Sequence, residues 1–322
     1  MNKIKWGIIG CGDVTEIKSG PAFNKVPNSS LVAVMRRDAA KAEDYAIRHN
    51  VPKWYSNANE LINDPEVNAV YIATPPSSHF EYAIAAMKAG KPVYVEKPMC
   101  LNAEEAVIMS TFSKEKNVKL VVAHYRRGHA IFQKIKQLID EKAIGEIRFA
   151  TMEFLRKPLT IDKTNIWRVD PKISGGGLFH DLAPHQLDLM YYFFGETKQI
   201  NGFGANQAGL YAADDIVTGN ILFDSGVVFN GTWCFSVAEG LEKDHCEMIG
   251  SEGKLSFSIF EGNTITITKA GKETVLEFDL LQHVQQPMIE MVVNYFLDEA
   301  NNPCSGDDGI VVMKMLDVFT GK

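Results

Sequence analysis

Near-continuous apolar runs at residues 6–9, 31–35, 69–73, 93–95 and 120–123 alternate with segments of helical period at 39–49, 78–89 and 103–116. Strands that are apolar throughout, rather than at every second position, have both faces buried, and helical crossovers between them keep the strands parallel. The pattern predicts a doubly wound parallel α/β sheet over residues 1–123. After that the rhythm changes: helical periods at 130–142 and 183–194 give way to strand after strand. Phe223-Asp224-Ser225-Gly226-Val227 and Gly250-Ser251-Glu252-Gly253-Lys254 read as hairpin turns, and residues 263–268 alternate polar and apolar. This predicts an α+β domain over residues 124–322 with a large open, mostly antiparallel sheet that has one wetter face. Residues 279–301 are predicted as a helix, and Gly306-Asp307-Asp308-Gly309 as a turn before a last helix ending at Lys322.

Composition narrows the classes. The chain has 322 residues, 46% hydrophobic and 23% charged, which suits two ordinary globular domains each with its own core. The formal net charge of -7 comes with scattered Lys and Arg, so nothing here neutralises a phosphate backbone, and nucleic acid is set aside as a partner. Met1-Asn2-Lys3-Ile4-Lys5-Trp6 runs straight into a strand, and no apolar run reaches about 18 residues, so the expectation is a cytoplasmic protein with no membrane partner. Cys11, Cys100, Cys234, Cys246 and Cys304 are odd in number, far apart and without CxxC spacing, which indicates neither disulfides nor zinc. Apolar strand residues such as Val227, Phe229 and Trp233 are read either as covering the domain's own helices or as burying against another subunit.

Chemistry enters at the strand ends. The first strand leads into Gly10-Cys11-Gly12-Asp13-Val14-Thr15, where two glycines fit a dinucleotide loop: one makes the tight turn and the other lets backbone approach a pyrophosphate. Gly10, Gly12, Asp13 and Val14 are therefore candidate cofactor residues of a Rossmann domain, with Thr15 in the place usually held by a third small residue. The second strand ends Met35-Arg36-Arg37-Asp38. Guanidinium groups there match a 2′-phosphate better than a ribose hydroxyl, which favours NADP(H), while Asp38 leaves NAD(H) possible. Ala73-Thr74-Pro75-Pro76-Ser77-Ser78-His79 ends another strand, and Thr74, Pro75 and His79 should lie over the cofactor. Glu96-Lys97-Pro98 follows the run at 93–95. A lysine there points into the crevice as an acid/base candidate, or snorkels to solvent.

In the second domain Trp167-Arg168 and Ser174-Gly175-Gly176-Gly177 precede His180-Asp181-Leu182-Ala183-Pro184-His185-Gln186-Leu187-Asp188. With a helix starting near Leu182, Asp181, His185 and Asp188 share one face, the arrangement of a carboxylate-oriented histidine base. A metal reading of His180, Asp181, His185 and Asp188 lacks zinc-type spacing and a third element to complete it, and a purely structural histidine stands beside both.

Together the glycine loop, Ala73-Thr74-Pro75, Glu96-Lys97-Pro98, Trp167-Arg168, Gly175-Gly176-Gly177 and Asp181-x-x-x-His185 resemble the Gfo/Idh/MocA oxidoreductase family over essentially the whole chain. The resemblance implies a nicotinamide-dependent oxidoreductase acting on a secondary alcohol or ketone of a sugar or polyol. It implies Lys97 as the lysine at nicotinamide and substrate, Asp181 as a substrate-binding carboxylate and His185 as the proton-transferring histidine, with Glu96 beside the cofactor, Arg168 and Tyr125 at the substrate, and no metal. It also implies a cis Lys97–Pro98 bond and a homodimer or homotetramer formed through the C-terminal sheet. His124-Tyr125-Arg126-Arg127 departs from the asparagine-containing segment of many relatives, so sugar contacts there should differ. The arginine pair with Trp167-Arg168 is more similar to NADPH-linked members than to inositol dehydrogenases. Two other readings share this fold: a redox-neutral glycosidase or epimerase that oxidises its sugar transiently, and a cofactor-sensing regulator, which would not need Lys97, Asp181 and His185 together.

Overall fold

The first apolar run becomes β1 (Ile4–Ile9), followed by α1 (Asp13–Ile17), β2 (Ser29–Met35), α2 (Ala39–Arg48), β3 (Lys53–Tyr55), α3 (Ala58–Asn63), β4 (Ala69–Ile72), α4 (His79–Lys88), β5 (Val93–Val95), α5 (Ala103–Lys116) and β6 (Leu120–Val122). The structure is a computed structural model and describes residues 2–162 and 165–322. All six strands are parallel in the order β3-β2-β1-β4-β5-β6. This is the doubly wound order, whose direction reverses between β1 and β4. Every residue of β4, β5 and β6 is buried, as a sheet covered on both faces requires. Gly7 has a packing reason: a Cβ there would come within 2.6 Å of Leu61 Cδ2, so the glycine lets α3 lie close on β1. β3 has no apolar run to announce it; it is three residues long, with Trp54 39% exposed.

The second unit opens with α6 (Ala130–Asp140), β7 (Ile147–Leu155), α7 (Pro171–Ser174) and α8 (Leu178–Phe194). Then come β8 (Thr197–Ala205), β9 (Ile216–Phe223), β10 (Val228–Cys234), β11 (Lys243–Gly250), β12 (Gly253–Phe257), β13 (Thr264–Lys269) and β14 (Lys272–Glu277). They form one sheet in the order β14-β13-β12-β11-β7-β10-β9-β8, antiparallel at each pair except β7 with β10. Both predicted hairpin turns are present, and Gly226 supplies the left-handed φ of +85° that the first one needs. Alternation sends Val217, Ile221, Phe229 and Trp233 to a buried face and Thr218, Asn220, Asn230 and Thr232 to the other. Val227, Phe229 and Trp233 are thus covered by their own chain: the Trp233 indole donates to Gln186 Oε1 at 2.6 Å and meets Phe179 of α8 edge-on.

The chain ends with α9 (Gln286–Phe296) and α10 (Gly306–Phe319). The helix predicted at 279–301 is shorter at both ends. Before it, His283 Nδ1 meets the Ile17 carbonyl at 2.6 Å and the Gln285 amide donates to Lys18 O, which holds that stretch out of helical geometry. Gly306-Asp307-Asp308-Gly309 is not a turn but the first turn of α10. Ser305 Oγ accepts the Asp308 N–H while the Asp308 carboxylate accepts the Ser305 N–H, a reciprocal cap that starts the helix there.

Contacts divide the chain into two compact units, one running to His129 and including Leu281–Met313, the other being Ala130–Leu280 with Lys314–Lys322. The division therefore differs from a single cut between residues 123 and 124. Its cause is the apolar face of α9, where Met288, Ile289, Val292, Val293 and Phe296 are buried, with Phe296 packed 5.6 Å from Trp6 of β1. In the second unit Phe319 lies over the cross-strand pair Gly202 and Gly219, where a Cβ would come within 2.8 and 2.4 Å of its ring. Among the described residues no helix is long and apolar enough to cross a membrane.

Candidate active site

Three loops leave the carboxyl ends of adjacent strands β1, β4 and β5, stitched by Ala73 N donating to Ile9 O and Glu96 N to Ile72 O, both at 2.9 Å. In the first, Gly10 has φ +94°, and a Cβ there would fall 2.8 Å from the Thr74 amide nitrogen. Only glycine lets these loops approach. Around Gly12 the nearest atom to an added Cβ is 3.9 Å away, so the outer side of the loop is open to another molecule's backbone-distance approach. Asp13 is exposed and Val14 half-buried. Thr15 is buried with its polar atoms used locally: the hydroxyl donates to Gly12 O at 2.8 Å, and its carbonyl accepts from Tyr45. The loop thus tolerates threonine in the third place. This open, glycine-lined cradle fits a dinucleotide pyrophosphate.

At the end of β2, Arg36 is half-buried and its Nη1 donates to Cys11 O at 3.3 Å, which lays the guanidinium on the glycine loop. Arg37 is exposed. The Asp38 side chain accepts from the Lys41 amide as the cap of α2 and lies 3.7 Å from Lys41 Nζ.

Thr74 and Pro75 are half-buried in the second loop, with Thr74 Oγ1 accepting from Ser78. His79 departs from the expected cofactor contact. It is wholly buried, with Nδ1 2.9 Å from Pro98 O and Nε2 2.7 Å from Thr74 O, so both ring nitrogens face backbone carbonyls. Burial pushes its pKa down. It braces one loop against the next. In the third loop Lys97 is half-exposed between buried Glu96 and Pro98, and the Lys97–Pro98 bond is cis. Glu96 turns inward rather than toward the open side. Tyr125 is also buried, with its ring against His129 and Arg126.

In the second unit the helix of interest starts earlier than Leu182. Ser174 Oγ accepts the Gly177 N–H at 2.7 Å, and left-handed Gly175 and Gly177 turn the chain so that α8 begins at Leu178 with Pro184 inside it. Asp181, His185 and Asp188 share one face and are buried. Arg168 pairs with the Asp181 carboxylate and stacks 4.6 Å over the Trp167 ring. His185 meets Phe260 edge-on at 5.5 Å. His180 is buried on another side of α8, with the Gly176 backbone against its ring. Among the described residues no three His, Cys, Asp or Glu converge as a metal site.

Residues 4–124 match the oxidoreductase family with an NAD-binding Rossmann fold, and residues 132–256 match the GFO/IDH/MocA C-terminal domain. The chain belongs to the Gfo/Idh/MocA oxidoreductase family. An oxidoreductase of Formosa agariphila is 48% identical over 323 residues, covering 99% of each chain. A 1,5-anhydro-D-fructose reductase of Ensifer adhaerens is 27% identical, covering 85% of this chain and 83% of the relative. The crystal structure of an aldose-aldose oxidoreductase from Caulobacter crescentus, complexed with glycerol, superposes with a TM-score of 0.86 at 22% identity, over 98% of this chain and 96% of that one.

In this Gfo/Idh/MocA member, sequence reasoning misses Tyr71 and Gln285. Both reach the Glu96 carboxylate, Tyr71 Oη at 2.5 Å and Gln285 Nε2 at 2.6 Å. Tyr71 reads as a filler of a buried strand, and Gln285 lies 189 positions from Glu96, so no local spacing marks either.

Proposed function

We propose that this protein is an NADP(H)-preferring oxidoreductase that interconverts a secondary alcohol and a ketone on a sugar or polyol. One observation carries the reading: the loops after β1, β4 and β5 sit side by side, with the glycine cradle open and Lys97 the half-exposed side chain between two buried neighbours. A bound nicotinamide supplies the acceptor or donor of the hydride. The residues of the chain do the rest. Lys97 hydrogen-bonds the reacting oxygen and stabilises negative charge developing on it. His185 takes the hydroxyl proton in oxidation and returns it in reduction, while Asp181, held by Arg168, fixes a neighbouring hydroxyl. The cofactor preference rests on Arg36, laid on the glycine loop, and on Asp38, whose carboxylate is engaged in capping α2. The reading is consistent with the reductase activity named for the Ensifer adhaerens relative.

Self-association through the second unit's sheet, as a homodimer or homotetramer, is part of the proposal. It would use outward residues such as Phe149, Phe203 and Val228, since Val227, Phe229 and Trp233 are buried.

The test is fluorescence titration with NADPH and NADH, then an absorbance screen against keto-sugars and polyols. Tighter NADPH binding with turnover supports the proposal. Product formed without net change in nicotinamide absorbance would replace it with the redox-neutral reading, and absence of binding to either cofactor would sink it.

A further inference from the structure

We propose that Gln285 is a positioning residue for Lys97, acting through the Glu96 carboxyl group; the proposal rests on the functional reading of Lys97 given above. Gln285 is wholly buried just ahead of α9, and its own N–H is anchored on Lys18 O at 3.1 Å. Its side-chain NH2 donates to Glu96 Oε1 at 2.6 Å, the same oxygen that accepts from Tyr71. The other oxygen, Glu96 Oε2, accepts the backbone N–H of Lys97 at 3.3 Å.

The orientation of the amide follows from the inventory of donors. The carbonyl oxygen of Gln285 lies 3.4 Å from Tyr94 Oη, a hydroxyl able to donate, and the NH2 faces a carboxyl oxygen able to accept, while the one proton of Tyr71 is given to that same carboxyl oxygen. Tyr71 and Tyr94 are stacked at 5.1 Å on neighbouring positions of β4 and β5. The carboxyl group is therefore held in one place by a buried polar network, and a buried polar group loses stability when a partner is removed. Beyond Lys97 the Pro98 carbonyl is held by His79. The backbone is thereby fixed on both sides of Lys97, so the point from which its side chain starts is set by the Glu96 network and by His79.

Reacting groups misplaced by about 1 Å lose about a hundredfold in rate. Gln285→Leu should therefore lower kcat by about 10- to 100-fold while the NADPH Kd changes by less than about threefold, because the glycine loop is untouched. The assay is NADPH oxidation with 1,5-anhydro-D-fructose as probe. A second readout does not need turnover: reductive methylation with 13C-formaldehyde, with the Lys97 signal identified by its loss in Lys97→Arg. In Gln285→Leu that signal should move, and in Tyr71→Phe, which keeps the ring volume, it should move the same way. An unchanged Lys97 signal in both folded variants overturns the proposal, whether or not kcat falls. A wild-type protein that binds NADPH but ignores the probe counts against the substrate reading alone, since the Lys97 signal still decides the role of Gln285.

Discussion

Arg36 at the end of β2 donates to the carbonyl of Cys11 inside the glycine loop at 3.3 Å, which lays the guanidinium on the loop proposed to hold the cofactor. A charge-assisted hydrogen bond is worth about 1.5–3 kcal/mol, or roughly 10- to 150-fold in affinity. Arg36→Ala should weaken NADPH by about that factor and NADH by much less. Fluorescence titration with both cofactors reads the ratio. Equal weakening of the two would show that Arg36 only shapes the loop.

Lys97 is the half-exposed member of a triplet whose other two side chains are buried. Lys97→Met keeps the length of the stem and removes the ammonium. The expected result is loss of turnover by at least about a thousandfold, with NADPH affinity changed less than about threefold. Stopped-flow absorbance and the same titration separate the two. Wild-type rates in the variant would withdraw the assignment.

Much of this was legible in the sequence because the relevant signals are local. Continuous apolar runs announce β1, β2, β4, β5 and β6, and Gly10 stands out because the close approach of the Thr74 backbone admits no side chain there. β3 escapes because three residues at a sheet edge carry no periodicity. The sequence reads α8 as starting near Leu182; the structure starts it at Leu178, where Ser174 captures the Gly177 amide. The return of α9 to the first unit and the reach of Gln285 to Glu96 are long-range facts, set by packing that one sequence does not display. Residues 306–309 show the opposite error: glycines and aspartates suggest a turn, but Asp308 paired with Ser305 makes them a helix start.

Phe319 fills the space that Gly219 leaves by lacking a side chain. A Cβ at Gly219 would lie 2.4 Å from the ring, well inside van der Waals contact, and both residues are in the second unit. Gly219→Ala should cost about 1–3 kcal/mol of stability through overpacking. Adding Phe319→Leu should recover part of that loss, so that the double variant is less destabilised than the sum of the two single ones. Denaturant midpoints of the four proteins give the coupling, and strict additivity would mean that the ring yields without cost.

His180 should cost the protein stability, and increasingly so in acid. Burial drives its pKa from 6.5 down to about 3, with the Lys322 ammonium adding to the effect. Burial likewise lowers His129 to about 4. In both cases the unfolded chain binds a proton that the folded chain refuses. Stability is therefore complete above the unfolded value of 6.5 and is lost as the pH falls toward the folded values, at up to about 1.4 kcal/mol per pH unit for each histidine. Replacing His180 by Leu removes one of these two contributions, together with a buried polar ring. Two outcomes are expected: a gain of about 1 kcal/mol at pH 7, and a shallower decline between pH 6 and pH 4 by about one proton's worth. Urea midpoints measured across that range check both. A variant that is no more stable at pH 7 and keeps the wild-type slope would mean that the His180 ring is solvated or partnered in solution.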